Sequence, residues 1–149
     1  MGRGPPASER SVRRFARGVS PYKPTHANGV TYDTGALIAA DRGVRAFWLR
    51  HEGFLRAGVV PTVPTVVLAQ AWRSARQVAL ARLLTGCVLE ELSAVQARAV
   101  GLLAARSGHA DVVDLAVAEG ALRRGDLVLT SDPDDIARAG GSRLILARL

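Results

Sequence analysis

The sequence predicts an α/β fold built on a parallel sheet, and three observations carry that prediction. From residue 30 onward, short apolar runs alternate with segments of helical periodicity. The runs are continuously apolar rather than alternating, as in strands covered by helices on both faces. Carboxylates stand where two of the runs stop, at Asp33 and Asp132, and α/β sheets carry their sites at the carboxyl ends of the strands.

The elements follow in order. "GVTYD" is a short strand ending at Asp33, and "TGALIAADR" is helical. "VRAFWLRHEGFLRAG" places Phe47, Trp48, Phe54 and Leu55 at helical spacing and stops at Gly58. A strand is expected from Val59, with Pro64 in the first turn of the helix that contains Gln70 and runs on through Arg73 and Arg76. "ARLLTG" closes another helix at Gly86, "CVLEEL" is strand-like, and "AVQARAVGLLAARSG" is a helix. "ADVVDLAVAEGALRRG" is a second helix, stopped by a cationic last turn and Gly125. "DLVLT" is a strand, "DPDDIARAG" a short helix and "RLILARL" a last strand.

With 149 residues and 48% apolar residues, the chain suits one soluble domain with a substantial core. No apolar run approaches the roughly 18 residues of a membrane span. The first residues are polar and Arg-rich, without the apolar stretch of a signal peptide, so a cytoplasmic location is expected. Cys87 is the single cysteine, which excludes an internal disulfide and a cysteine-based zinc site. Most of the net charge of +7 sits in residues 1–29, where six basic residues face one Glu. That segment, rich in Pro, Gly, Ser and Arg, is expected to be a disordered basic arm, with the folded domain spanning 30–149. A nucleic-acid-binding role, a solubilising tail and an upstream start codon wrongly chosen all suit such an arm.

Each carboxylate has a plain structural use. Asp132 can cap a helix whose first and third residues are Pro133 and Asp135, Asp111 and Asp114 can open theirs, and Asp33 can cap "TGALIAAD". Together they say more. A parallel sheet brings Asp33 and Asp132 to one edge, and the helix bearing Asp114 runs directly into the strand that ends before Asp132. Carboxylates converging in one crevice repel unless a cation lies among them. Mg²⁺ or Mn²⁺ is the hard ion suited to an all-oxygen set, and its chemistry there is phosphodiester hydrolysis.

The strings "YDTGALIAADR", "VPTVVLAQAWR", "ADVVDLAVA" and "VLTSDPDDI", in this order, resemble a PIN domain, most of all the VapC-type toxins of bacterial toxin–antitoxin pairs. The resemblance covers residues 30 to about 147. It implies a three-layer α/β/α sandwich with a parallel central sheet. It also implies a Mg²⁺- or Mn²⁺-dependent endoribonuclease held inactive by a cognate antitoxin, and commonly a homodimer. On this resemblance Asp33, Asp114 and Asp132 match the first, third and fourth acidic positions and are the expected metal ligands and catalytic residues. Thr34 matches the small polar residue that supports the site and Asp135 a further acidic position used by some members, while Asp111 has no firm counterpart and reads as a capping or supporting residue.

The departure is Gln70, which stands where the family has a Glu. The amide keeps a carbonyl oxygen able to bind a metal or hold a water, but it lacks the charge. The alternative reading is therefore a catalytically weak or inactive PIN-fold module that binds RNA or an antitoxin. Arg73 and Arg76 are placed to meet RNA phosphates, and Trp72 either stacks on a base or packs. His26, His51 and His109 show no ligand spacing and read as surface or capping residues. Ser131 has no nucleophile elbow, and no phosphate-binding glycine loop is present. Phosphotransfer from a strand-end Asp needs a nearby Lys. The only Lys is Lys23, in the arm, and Gly35 occupies the place where the dehalogenase pattern wants a second Asp.

Overall fold

The computed structural model describes residues 27–149. Five parallel strands form one sheet in the order β3-β2-β1-β4-β5. The chain runs β1 (Val30–Tyr32), α1 (Thr34–Asp41), α2 (Arg45–Arg56), β2 (Thr62–Pro64), α3 (Thr65–Ala71), α4 (Val78–Thr85) and β3 (Val88–Glu90). It continues through α5 (Ala94–Ser107), α6 (Val112–Arg124), β4 (Leu127–Thr130), α7 (Pro133–Gly140) and β5 (Ile145–Arg148). The fold is a three-layer α/β/α sandwich, as the sequence predicts. None of the described helices is long and apolar enough to cross a membrane.

Strand β1 shows how the layers arise. Successive side chains of a strand point to opposite faces. Tyr32 meets Phe47 and His51 of α2 on one face, while the Thr31 hydroxyl donates to Asp126 and accepts from Arg124 on the other. Helices α1, α2 and α4 pack together on the Tyr32 side, and α5, α6 and α7 on the Thr31 side. Both faces of β1 and β4 are therefore covered, and every residue of these strands is buried. Fully burying a side chain such as Phe54 or Leu80 stabilises the domain by about 1.5–3 kcal/mol each. Helix α3 contacts α1 on one side and α6 on the other, so it bridges the two layers beside the strand ends.

Several boundaries differ from the sequence expectation. The second strand is confined to Thr62–Pro64, and Pro64 ends it and caps α3 instead of lying inside the helix. Helix α3 stops at Ala71, which leaves Arg73 and Arg76 in the connection to α4. The Gln77 side chain explains the stop: its Oε1 accepts from the Arg73 and Ser74 amides, and its Nε2 donates to the Ala71 carbonyl and to Asp41. The expected arm lies outside the described residues up to residue 26, and so does His26. Residues 27–29 belong to the folded body. Ala27 is buried, Asn28 donates to the carbonyls of Gly125 and Arg124, and the Gly29 carbonyl accepts from Leu127. His51 is not a surface residue but is only 3% exposed. It stacks on Phe47, and its Nδ1 is 2.9 Å from the Tyr32 hydroxyl.

On the Thr31 face a chain of ion pairs crosses the sheet. Arg123 binds Glu90 and Glu119, and Arg124 binds Asp126 at 2.8 Å. Arg124 Nη1 also lies 2.7 Å from Glu90 Oε2, an ion pair off the direction of a hydrogen bond.

Candidate active site

The site is built at the carboxyl ends of β1 and β4. Strand register pairs Tyr32 with Leu129, so the residues that follow, Asp33 and Thr130, come level. The Thr130 hydroxyl donates to Asp33 Oδ2 at 2.8 Å and accepts from the Asp132 amide at 3.0 Å. Asp33 Oδ1 accepts from the amide of Thr34 at 2.7 Å as α1 begins. Gly35 lets the first turn of α1 approach the loop after β4, because a Cβ there would lie 2.8 Å from Ser131 Cβ and 3.2 Å from its backbone N.

Asp33 is 7% exposed. Burial pushes its carboxyl above the ordinary range; the hydrogen bonds from Thr130 and Thr34 oppose this, and the charges of Asp114 and Asp111 add to it. Asp114, in the first turn of α6, is raised for the same leading reason. Its hydrogen bond from His109 pulls the other way, and Asp111 and Asp135 push it up. Asp33, Asp111, Asp114 and Asp135 therefore share one electrostatic environment. Asp111 caps α6 by accepting from the amides of Val113 and Asp114.

Gln70 reaches the same crevice from α3. Its Oε1 accepts a short hydrogen bond from the Thr34 hydroxyl, one residue from Asp33. Thr34 thus joins the carboxylate end of β1 to the amide of α3. Asp132 is more peripheral: it is exposed and spends Oδ1 on the Asp135 amide at 3.2 Å as the cap of α7. Asp135 is paired with Arg138. Arg73 does not extend toward the carboxylates, because its guanidinium donates to the carbonyls of Ala69 and Trp72 at the end of α3. Arg76 is exposed in the same connection, and Trp72, 37% exposed, ends the helix.

Two residues were not assigned to the site from sequence, Thr130 and His109, and His109 is not the surface or capping residue expected but a part-buried partner of a site carboxylate. Thr130 is fully buried and is the polar last residue of an otherwise apolar strand. Its type and its place two residues before Asp132 were the available signal. His109 Nε2 lies 2.9 Å from Asp114 Oδ2. Its position just ahead of a helix that opens with two acids was the corresponding hint.

Among the described residues, no group of three or more His, Cys, Asp and Glu side chains is arranged to hold a metal ion. The donor set fits a more open site. Mg²⁺ keeps several waters and is usually held by one or two protein carboxylates together with substrate phosphates. Asp33 and Asp114, each raised by burial and by acidic neighbours, would supply two, and the carbonyl oxygen of Gln70 is held by the Thr34 hydroxyl next to Asp33.

No family model matches the chain, and no curated protein does. Among solved structures, the fold is shared with VapBC2 from Rickettsia felis bound to a DNA fragment from their promoter. That likeness has a TM-score of 0.63 and 16% identity, over 80% of this chain and 98% of that one. It is shared too with PAE2754 from Pyrobaculum aerophilum, at a TM-score of 0.55 and 18% identity over 79% of this chain and 90% of that one. At these identities the likeness is one of architecture, and the chain has the fold of a VapC-type PIN domain.

Proposed function

We propose that this protein is a Mg²⁺- or Mn²⁺-dependent endoribonuclease, the toxin of a toxin–antitoxin pair. The observation that carries the reading is the pair Asp33 and Asp114. These are two partly desolvated carboxylates, one at the end of β1 and one in the first turn of α6, each raised by burial and by acidic neighbours, with no Lys or Arg among the described residues bonded to either. Such a pair is stabilised by a cation between them. Asp33 and Asp114 would hold the ion, with Asp132 and Asp135 at the rim. A divalent cation in that place supplies positive charge against a phosphodiester and makes a water a better nucleophile.

The chain's own contributions are positional. Thr130 and the Thr34 amide fix the Asp33 carboxylate. Asp111 holds the first turn of α6 under Asp114. The Gln70 carbonyl oxygen, aligned by Thr34, can accept a hydrogen bond from a water at the crevice. Being neutral, it cannot take that water's proton. Arg76 and the basic residues of the 1–26 segment are the positive groups proposed to meet RNA phosphates. Arg73 would have to leave the end of α3 to join them. A cognate antitoxin, a second copy of the chain and a cytoplasmic setting belong to the same proposal.

Gln70 supports a second reading, in which the fold binds RNA or an antitoxin without cutting. Incubating purified protein with RNA and Mn²⁺ separates the two. Cleavage that EDTA stops and Asp33→Asn abolishes is the expected result. Binding without cleavage at any Mn²⁺ concentration overturns the nuclease reading in favour of the second.

A further inference from the structure

The connection from α5 to α6 is Gly108-His109-Ala110-Asp111. Gly108 ends α5 in the left-handed region, at φ 70°. Asp111 starts α6 as its cap. The tight turn between them lays His109 over the first turn of α6, with Nε2 2.9 Å from Asp114 Oδ2. An ionised carboxylate only accepts, so it is Nε2 that carries the proton. The bond is shielded, the two side chains being 16% and 20% exposed. Asp114 is thereby held twice, at its backbone amide by Asp111 and at its carboxylate by His109. Asp33 has matching support, from the Thr34 amide and the Thr130 hydroxyl. Carboxylates that bind a cation depend on such partners to fix their orientation.

Resting on the metal-dependent reading above, we propose that His109 is a positioning residue, whose ring N–H holds the Asp114 carboxylate in the orientation in which it shares a divalent cation with Asp33. A histidine that only closes the loop would leave cation binding untouched.

The test uses the full chain and Mn²⁺ itself as the probe. Mn²⁺ affinity is measured by electron paramagnetic resonance for wild type, His109→Ala, His109→Gln and Asp114→Asn. Melting temperatures in EDTA are recorded alongside. Removing a partner of a metal-binding group typically weakens the metal by about 10–100-fold, and His109→Ala should do so. Its melting temperature in EDTA should stay close to wild type, and its RNA cleavage should recover as Mn²⁺ is raised. His109→Gln, which keeps an N–H donor, should regain most of the affinity. The inference is overturned if His109→Ala binds Mn²⁺ like wild type while Asp114→Asn does not, and the metal reading then stands alone. It is also overturned if His109→Ala lowers the EDTA melting temperature and glutamine restores nothing, the mark of a loop brace. If Asp114→Asn itself binds Mn²⁺ like wild type, the metal reading fails and takes this inference with it.

Discussion

Replacing Gln70 by Glu adds one charge and changes little else. The side chains are nearly the same size, and a carboxylate still accepts from the Thr34 hydroxyl that now bonds Gln70 Oε1. The new charge arrives one residue from Asp33, because the Thr34 amide donates to Asp33 Oδ1 at 2.7 Å. Asp33 is already raised by burial, with Asp114 and Asp111 adding to the effect. Two carboxylates separated by one intervening residue, at an effective dielectric near 20, repel by about 2 kcal/mol. Gln70 is exposed, so screening leaves about 1 kcal/mol. In EDTA that lowers the melting temperature by about 4 °C for a domain of this size. With Mn²⁺ present, the same charge attracts the ion, and the deficit should vanish or reverse. Thermal melts of wild type and Gln70→Glu, each with EDTA and with millimolar Mn²⁺, close a cycle whose expected coupling is about 1 kcal/mol or more in favour of Glu with metal. A faster RNA cleavage rate should accompany it. A coupling indistinguishable from zero would place Gln70 beyond the ion's reach and refute the argument that its missing charge sets this chain apart.

The pH dependence has a defined sign. The folded carboxyls of Asp33 and Asp114 sit above the ordinary aspartate value of 3.8, so their penalty is full at neutral pH and disappears as pH falls through the folded values toward 3.8. In EDTA, the stability advantage of an Asp33→Asn/Asp114→Asn double variant over wild type should therefore shrink as melts are run from about pH 7 down to about pH 4, and an advantage that grows would reverse the assignment. Comparing the two chains cancels His51, whose burial lowers its pKa from 6.5 and destabilises the fold as pH falls. Tyr32→Phe strips the hydroxyl bonded to His51 Nδ1 in the core and should cost about 1–3 kcal/mol in urea unfolding, with no effect on Mn²⁺ affinity. Arg124→Met leaves Asp126, 5% exposed, without its cation and should cost about 3–5 kcal/mol. Arg56→Ala, breaking an exposed pair with Glu52, should cost less than about 0.5 kcal/mol in the same assay.

The fold was legible because its signals are local. Apolar runs, the caps at Asp33, Asp111 and Asp132, and the glycine stops at Gly108 and Gly125 each act within a few residues. Long-range contacts were not legible in this way. That Thr31 would meet Arg124, or that His51 would lie under Tyr32, depends on which face of the sheet each helix covers, and no local spacing records that. The end of α3 was misplaced because a glutamine six residues further on supplies the terminal hydrogen bonds, a role its type does not advertise. At the candidate site, Asp33 and Asp114 were visible as carboxylates near strand and helix ends. Thr34 and Asp111 were visible as supports, but Thr130 and His109 were not, since they become partners only after the strands come into register and the loop after Gly108 turns back.

Gly35 fixes a dimension of the crevice. The two loops that carry Asp33 and Asp132 are separated by the thickness of a backbone with no side chain on it, because the place where a Cβ would go is filled by Ser131. The width of the crevice is thus written in the absence of a methyl group. A single alanine would alter no ligand, charge or hydrogen-bonding side chain, yet it would wedge apart the two halves of the crevice. Nothing short of backbone movement can absorb it, because the Ser131 amide is among the atoms in the way. Gauge, as distinct from chemistry, is therefore held at a position that any inventory of reactive groups would pass over.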